Sequence, residues 1–289
     1  MKNLTRRQFL TAGALGMGAV VAARTSGFEA ASKAFAIPAK MPIGFQTWSV
    51  KDLLAKDLPG TLKMMADMGY QSLEMCSPPG YVDSGFAPLM KYSAKELLKI
   101  INDHGLAWLS THYGMDELRK NLDARMQFAL DSGQKQMIVS SFGLPENAKL
   151  RDWLSAANEM NAMGEKTLKE GIQLGYHNHD MEFATLDGML IYDELMKEFD
   201  PRQVKMQFQV AVIRLGYKAA DYFKKYPGRF ISAHLADWSV KENKQVPMGQ
   251  GVVDWKEFFA TLGTGGVQNI FVEMDLPNLK DSVAYLKKI

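Results

Sequence analysis

The sequence of 289 residues has little of several features that would point to a particular class of protein. It holds one cysteine, Cys76, so no disulfide can form within the chain and stability must come from the hydrophobic core. Its formal net charge is only +2, which does not favour nucleic-acid binding as the main task. No low-complexity stretch or linker divides the chain, and no stretch after the N-terminal region is apolar and long enough to span a bilayer.

The first 36 residues carry the pattern of a twin-arginine export signal. Arg6 and Arg7 precede Gln-Phe-Leu and a weakly apolar run rich in alanine and glycine, and Ala34 and Ala36 fit a small-x-small cleavage site. The apolar run is short for a membrane helix, so an uncleaved anchor is only the alternative. Cleavage would leave residues 37–289 and, by removing five basic and one acidic side chain, a net charge of about −2. We therefore expect a periplasmic or otherwise exported protein with no membrane span after the signal is removed.

Extended and helical patterns then alternate eight times. The strand-like runs are 43–50, 71–77, 106–114, 135–143, 172–179, 204–210, 229–237 and 268–275. Eight β–α pairs in about 250 residues predict a mainly parallel sheet, closed as a single (β/α)₈ TIM barrel over residues 37–289. A doubly wound open sheet is the alternative, but no Gly-x-Gly-x-x-Gly turn follows the first strand.

Polar side chains recur late in these strand patterns. Because the carboxyl ends of barrel strands meet at one mouth, they predict a shared site there, although each could also be a satisfied structural group. Two imidazoles near the end of the fifth strand suit metal binding or proton transfer, and a hydrogen-bonded structural pair is the alternative. The residues in question are Gln46, Trp48, Glu74, His112, His177, His179, Gln207, Gln209, His234 and Glu273.

Five motifs resemble those of the xylose isomerase-like barrel superfamily, the sugar phosphate isomerase/epimerase group. The resemblance covers residues 41–289 and implies the same barrel fold. The motifs are GFQTWSV (44–50), YHNHDMEF (176–183), SAHLAD (232–237), PMGQGVVDW (247–255) and FVEMD (271–275).

The resemblance implies a divalent metal at the barrel mouth, with manganese expected first and magnesium, cobalt or zinc as alternatives. Carried over by position, its ligands are His177, Gln209, His234 and Glu273. Two of these depart from the family's Glu, Asp, His, Glu pattern. His177 replaces the glutamate of the fifth strand, and neutral Gln209 replaces an aspartate, which weakens binding of a hard cation.

The resemblance also implies an enzyme that abstracts a proton next to the carbonyl of a sugar or keto-sugar, as an isomerase or epimerase. Glu273, with His177 or His179, would act as base and acid. Substrate contacts are expected from Gln46, Trp48, Glu74, His112, Glu182 and Trp238. The alternatives are β-elimination on 3-keto-glycosides, a non-catalytic carbohydrate-binding barrel with a degraded metal site, and an abasic-site endonuclease. An oligomer is compatible with the sequence.

Overall fold

The computed structural model describes residues 41–289, and the predicted export signal over residues 1–36 lies outside them. Each of the eight strand patterns contains a barrel strand. The strands are Ile43–Gln46 (β1), Ser72–Cys76 (β2), Ala107–Gly114 (β3), Gln136–Ser141 (β4), Gln173–His177 (β5), Val204–Gln209 (β6), Phe230–Leu235 (β7) and Asn269–Val272 (β8). All neighbours pair in parallel and β8 pairs with β1, so the barrel is closed and the predicted fold class is confirmed.

Helices follow the strands and form the outer layer. They are Lys51–Lys56 (α1), Leu58–Met68 (α2), Ala94–Asp103 (α3), Met115–Asp131 (α4), Leu150–Lys169 (α5), Ile191–Glu198 (α6), Ala219–Lys225 (α7), Trp255–Gly265 (α8) and Leu276–Leu286 (α9). The start of α3 shows how local sequence sets these bounds. Ser93 and Glu96 form a reciprocal capping box, and the helix ends before Gly105, which has a φ of 75°. Within residues 41–289, no helix is long and apolar enough to cross a membrane.

Side chains that alternate along the strands separate into an apolar layer and a polar interior. Phe45, Leu73, Tyr176 and Phe208 are fully buried in the hydrophobic core. Their neighbours Gln46, Glu74, His177 and Gln207 are buried as well, although they are polar. Gln207 of β6 donates to Glu74 of β2 across the barrel, so this second set points into the barrel interior.

Seven of the eight strands end before their sequence patterns do, and at the first, fifth and eighth this leaves Trp48, His179 and Glu273 beyond the strand. The first pattern ran to Val50, but β1 stops at Gln46 because the Gln46 side chain accepts from the backbone N of Trp48 and begins a 3₁₀ turn over Thr47–Val50. The fifth strand stops at His177, so His179 lies beyond it. The alternation of side chains along a strand therefore does not determine the directions of Trp48 and His179. The turns that follow the strands determine them.

Candidate active site at the barrel mouth

The structure brings most of the predicted site residues together inside the barrel. Glu74 is fully buried at the centre of the group and has both carboxylate oxygens occupied. Register shifts next to Glu74 on β2 and next to Gln207 on β6 interrupt regular pairing at this level, as bulges beside active sites often do. The groups around the Glu74 carboxylate are Ser110 Oγ at 2.5 Å, Gln207 Nε2 at 2.9 Å, Gln46 Nε2 at 2.9 Å, His112 Nε2 at 2.9 Å and His234 Nε2 at 2.6 Å.

The charge of Glu74 depends on its histidine neighbours. Burial by itself raises the pKa of this carboxyl, because a charge is poorly solvated inside the barrel. His112 and His234 more than offset the burial and hold the pKa of Glu74 well below its usual range. Glu74 is therefore an ionised carboxylate that orients two imidazoles from different strands.

His234 lies between two carboxylates. Its Nε2 is 2.6 Å from Glu74 Oε2, and its Nδ1 is 3.0 Å from Glu273 Oε2. Burial alone lowers the pKa of a histidine, but Glu273 and Glu74 together raise the pKa of His234 to about 9. Burial likewise raises the pKa of Glu273, whereas His234 brings it down to about 2. Without a bound ion, a protonated His234 thus joins two ionised carboxylates.

Gln209 holds Glu273 through a hydrogen bond. Its Nε2 donates to Glu273 Oε2 at 2.6 Å, and its Oε1 accepts from the backbone N of Ala211 at 3.2 Å. The position that carries an aspartate ligand in the family pattern is therefore a donor to a carboxylate here. For Gln209 to bind an ion through Oε1, as predicted, that oxygen would have to leave Ala211.

His177 and His179 each keep a ring nitrogen available. Both Nδ1 atoms are buried and have no hydrogen-bond partner among the residues that the structure describes. The two rings lie 4.7 Å apart, and the His177 ring is 4.5 Å from that of His234. Burial, followed by the neighbouring His234, holds the pKa of His177 well below its usual value, and burial also lowers the pKa of His179. Both rings are thus neutral, which is the form that binds metals.

Three of these histidines form a set that could hold a metal ion. His112, His177 and His234 each offer a ring nitrogen within 4.8 Å of the others, and all three side chains are buried. Three imidazoles are a common zinc ligand set, and Glu74 supplies the carboxylate that often orients metal-binding histidines. The residues present therefore fit one divalent cation, for which His234, whose Nε2 and Nδ1 contact Glu74 and Glu273, would have to release one of these carboxylates. The sequence had predicted His177 and His234 as ligands but had assigned His112 to substrate binding.

Two cavities open above this network. The first, of about 650 Å³, is bordered by Glu273 and by residues that follow β1 and β8. The second, of about 610 Å³, lies on the side of β6 and β7. Both are lined by His179, Gln209 and Gln245; the first also includes Trp48, Lys51, Asp52 and Asp275, and the second Asp180, Arg214 and Trp238.

A buried carboxylate shapes the wall of the second cavity. Asp237 follows β7, and its two oxygens accept from five donors, four in the loop that leads to α8 and one in the first residue of α8. Gly249 has a φ of 82°, and a Cβ on Gly251 would lie 2.1 Å from Asp237 Oδ1, so both positions require glycine. The donors are the backbone N atoms of Trp238, Gly249, Gly251 and Val253 and the Nε1 of Trp255, at 2.9–3.2 Å.

The remaining predicted contacts lie at different depths. Trp48 and Trp238 line one cavity each, whereas Gln46 lies beneath the cavities and donates to Glu74. Glu182 is fully buried, accepts from Tyr176 Oη at 2.5 Å and from His179 N at 2.7 Å, and lines neither cavity. Glu182 thus fixes the backbone at His179.

Sequence reasoning did not identify several residues of the cavity walls. Lys51 and Arg214 lie over the rings of Trp48 and Trp238, and Gln245 lines both cavities. Gln245 lies in a short hairpin, Asp237–Ser239 with Lys244–Val246, within the long loop after β7. The length of that loop was the available signal, because loops that follow strands lie on the catalytic face of such barrels.

Comparison with known proteins agrees with this architecture. Residues 62–289 match the family model described as the xylose isomerase-like TIM barrel, and the chain belongs to that family. No curated protein matches the sequence.

Solved structures share the fold at low sequence identity. A sugar phosphate isomerase/epimerase from Parabacteroides distasonis has a TM-score of 0.73 and 23% identity, over 88% of this chain and 97% of its own. The IolI protein with a bound zinc atom has a TM-score of 0.63 and 14% identity, over 86% and 96% of the two chains. A D-tagatose 3-epimerase-like protein has a TM-score of 0.61 and 15% identity, over 86% and 96%. At these identities the likeness shows the fold alone.

Proposed function

We propose that this protein is an exported, metal-dependent enzyme that removes a proton next to the carbonyl group of a sugar or keto-sugar, as an isomerase or epimerase. The observation that carries the proposal is the buried set of three histidines joined through His234 to Glu273, on the wall of an open cavity at the barrel mouth. Membership of a family whose structural neighbours include a sugar phosphate isomerase/epimerase supports the substrate class.

Each residue has a task that its surroundings allow. His112, His177 and His234 would hold the ion, which when bound supplies Lewis acidity to a substrate oxygen. Glu273 is ionised and borders the first cavity, so it can accept the proton. His179 borders both cavities with a neutral ring, so it can accept a proton at a second position, while the protonated Glu273 returns the proton that it took up.

The donor set bears on which metal is bound. The resemblance to the family led us to expect manganese, which favours oxygen ligands. Three imidazoles favour zinc instead, and the IolI neighbour is described with a zinc atom. We therefore propose zinc as the first metal to test, followed by manganese.

A β-elimination is the second candidate, and one observation favours it. His177 stands where an epimerase of this family has its second glutamate, which leaves Glu273 as the carboxylate base from the strand ends. Elimination needs only one such base: the C–H electron pair forms the C=C bond, and the bond from the β-carbon to the leaving oxygen breaks. Glu273, protonated by the C–H that it has opened, would pass this proton to the leaving oxygen.

Replacement of Glu273 by Gln tests the proton transfer directly. We expect wild-type protein, loaded with zinc or manganese, to incorporate deuterium from heavy water at a carbon next to the carbonyl of keto-sugars and 3-keto-glycosides. Glu273→Gln should lower that exchange at least ~100-fold, in line with the loss of a general base. Nuclear magnetic resonance of the recovered sugar measures the exchange and also distinguishes elimination products.

Asp275→Asn is the matched control, because Asp275 lines the same cavity and loses the same charge. Exchange that persists in Glu273→Gln would remove Glu273 from the base position. If wild-type protein binds sugar with less than stoichiometric metal and exchanges no proton, the non-catalytic carbohydrate-binding barrel replaces the enzyme.

A further inference from the structure

The mouth of the barrel is divided into two chambers that share one wall. The cavities of about 650 and 610 Å³ have His179, Gln209 and Gln245 in common. Glu273, the proposed base, borders only the first cavity. A molecule whose reacting carbon lies against Glu273 would therefore fill the first cavity and have a second space of similar size beside it.

Each chamber carries one tryptophan beneath a cation. Trp48 is 39% exposed, and Lys51 Nζ lies 3.8 Å from its ring centre. Trp238 is half-buried in the second chamber, and Arg214 Cζ lies 5.8 Å from its ring centre. Indole rings offer a broad apolar surface with little side-chain freedom, which suits packing against the C–H face of a sugar ring.

Both tryptophans are held in place by their backbones. The backbone N of Trp48 donates to Gln46 Oε1 at 3.0 Å, and its ring makes an edge contact with Tyr81 at 6.1 Å between centroids. The backbone N of Trp238 donates to Asp237 Oδ1 at 2.9 Å, in the loop that this carboxylate gathers. Preorganised walls of this kind reduce the entropy lost when a ligand binds.

The charges around the chambers favour a ligand without a phosphate. The first chamber is lined by one lysine, Lys51, and by three carboxylates, Asp52, Glu273 and Asp275. In the second, Arg214 forms an ion pair with Asp180. A phosphate group would meet a net negative wall in the first chamber and a cation that is already paired in the second.

We propose that the mouth is a two-subsite site for an unphosphorylated glycoside of two rings. The reacting sugar occupies the first chamber between Trp48 and Glu273, and the ring attached to it packs on Trp238 in the second chamber. This inference rests on the proposed function for its choice of sugars, and it adds that a disaccharide-sized substrate is bound in preference to a monosaccharide.

Binding of cellobiose, maltose and trehalose, compared with glucose and glucose 6-phosphate, tests the inference on the zinc-loaded full chain by isothermal titration calorimetry. At least one disaccharide should bind ten-fold or more tightly than glucose, and glucose 6-phosphate should bind no better than glucose. Trp238→Ala should lower the affinity for the disaccharide to about that for glucose and leave the affinity for glucose unchanged. Trp48→Ala should lower the affinities for the disaccharide and for glucose, and Trp238→Phe should retain most of the disaccharide affinity.

Tyr92→Ala is the matched control, since Tyr92 lies under Lys91 at 5.0 Å but lines neither cavity. Equal binding of one-ring and two-ring sugars, an unchanged disaccharide affinity in Trp238→Ala, or no binding by any of the three disaccharides would overturn the inference.

The outcomes separate this inference from the proposed function. Selective disaccharide binding without deuterium exchange in any sugar would contradict the proposed enzymatic function and support the two subsites. Deuterium exchange in a monosaccharide, at a rate that Trp238→Ala does not change, would support the enzymatic function and contradict the two subsites.

Discussion

At the scale of single residues, Glu74 has the largest effect on how the site is arranged. It comes from β2, which supplies no metal ligand in the family pattern, yet it contacts His112 and His234 and also Gln207 across the barrel. A carboxylate in this position fixes the tautomer and ring orientation of the histidines that it contacts. Its influence on an ion would therefore be indirect, through the imidazoles.

Glu74→Gln should consequently weaken zinc binding without removing any ligand. We expect a ~10–100-fold loss of affinity, the usual consequence of losing a carboxylate that orients metal-binding histidines. Calorimetric titration of zinc into chelator-treated protein measures it, with Asp275→Asn as the control for loss of one negative charge at the mouth. A variant that unfolds like wild type and binds zinc equally well would show that Glu74 does not orient the ligands.

The pKa of His234 predicts how the stability of the chelator-treated protein depends on pH. Because its pKa is raised to about 9 in the folded state, protonation of His234 stabilises the fold fully below ~6.5, the usual histidine value. That contribution is lost as the pH rises through about 9. Glu273 acts oppositely: its pKa of about 2 gives stability above ~4.5 that disappears as the pH falls toward 2.

Urea unfolding at pH 6, 7.5 and 9 would measure the effect for wild type and for His234→Gln, both without metal. The free energy of unfolding of wild type should fall over this interval more steeply than that of the variant. Parallel curves would mean that His234 is not protonated between its two carboxylates.

At the scale of elements, the loop after β7 is set by one internal carboxylate. Asp237 accepts from five donors, four of them backbone N–H groups that no strand or helix satisfies. A buried carboxylate with this many donors gives the loop a single conformation, and the loop in turn places Trp238 and Gln245.

Asp237→Ala should therefore destabilise the protein by ~3 kcal/mol or more, because several buried donors lose a charged acceptor together. Asp254→Ala is the matched control within the same loop. Asp254 caps α8 through one bond to Glu257 N at 2.9 Å, so its loss should cost ~1 kcal/mol. Urea unfolding measures the stability lost in each variant. Proteolytic cleavage within residues 239–252 that occurs in Asp237→Ala but not in Asp254→Ala would show that the loop has opened. Equal costs for the two variants would contradict this account.

At the scale of the whole molecule, the barrel places segments that are distant in the sequence next to one another. The N-terminal region is predicted to direct export of the folded protein from the cytoplasm. Glu74 and His234 are 160 positions apart and in direct contact. The twin-arginine route carries folded proteins, so an ion bound among buried side chains could be acquired before export.

Replacement of Arg6 and Arg7 by Lys should thus retain the protein in the cytoplasm. The twin-arginine machinery reads this pair as an address, and the charge alone does not replace it. Cell fractionation followed by immunoblotting measures the distribution, with Lys2→Arg as the control for a basic change nearby. A variant that is exported as efficiently as wild type would contradict the predicted signal.

Periodicity and turn chemistry in the sequence were enough to predict the barrel. Each of the eight strand patterns contains a strand, and the capping box at Ser93 and the glycine at 105 mark the limits of α3. These features are local: side chains alternate every two residues in a strand, and a cap involves residues three positions apart. For the same reason the late position of His177, His234 and Glu273 in their strand patterns indicated a common mouth, although Glu273 lies one residue beyond β8.

Only the tertiary structure decided what these residues do to one another. Three arrangements depend on contacts between segments far apart in the chain. His112 lies beside His177 and His234, Gln209 donates to Glu273, and Glu74 contacts His234. The division of the mouth into two chambers likewise depends on His179, Gln209 and Gln245, which come from separate segments and line both cavities. Local sequence fixes which way a side chain leaves its strand, whereas barrel closure, stagger and loop packing fix which side chain it meets.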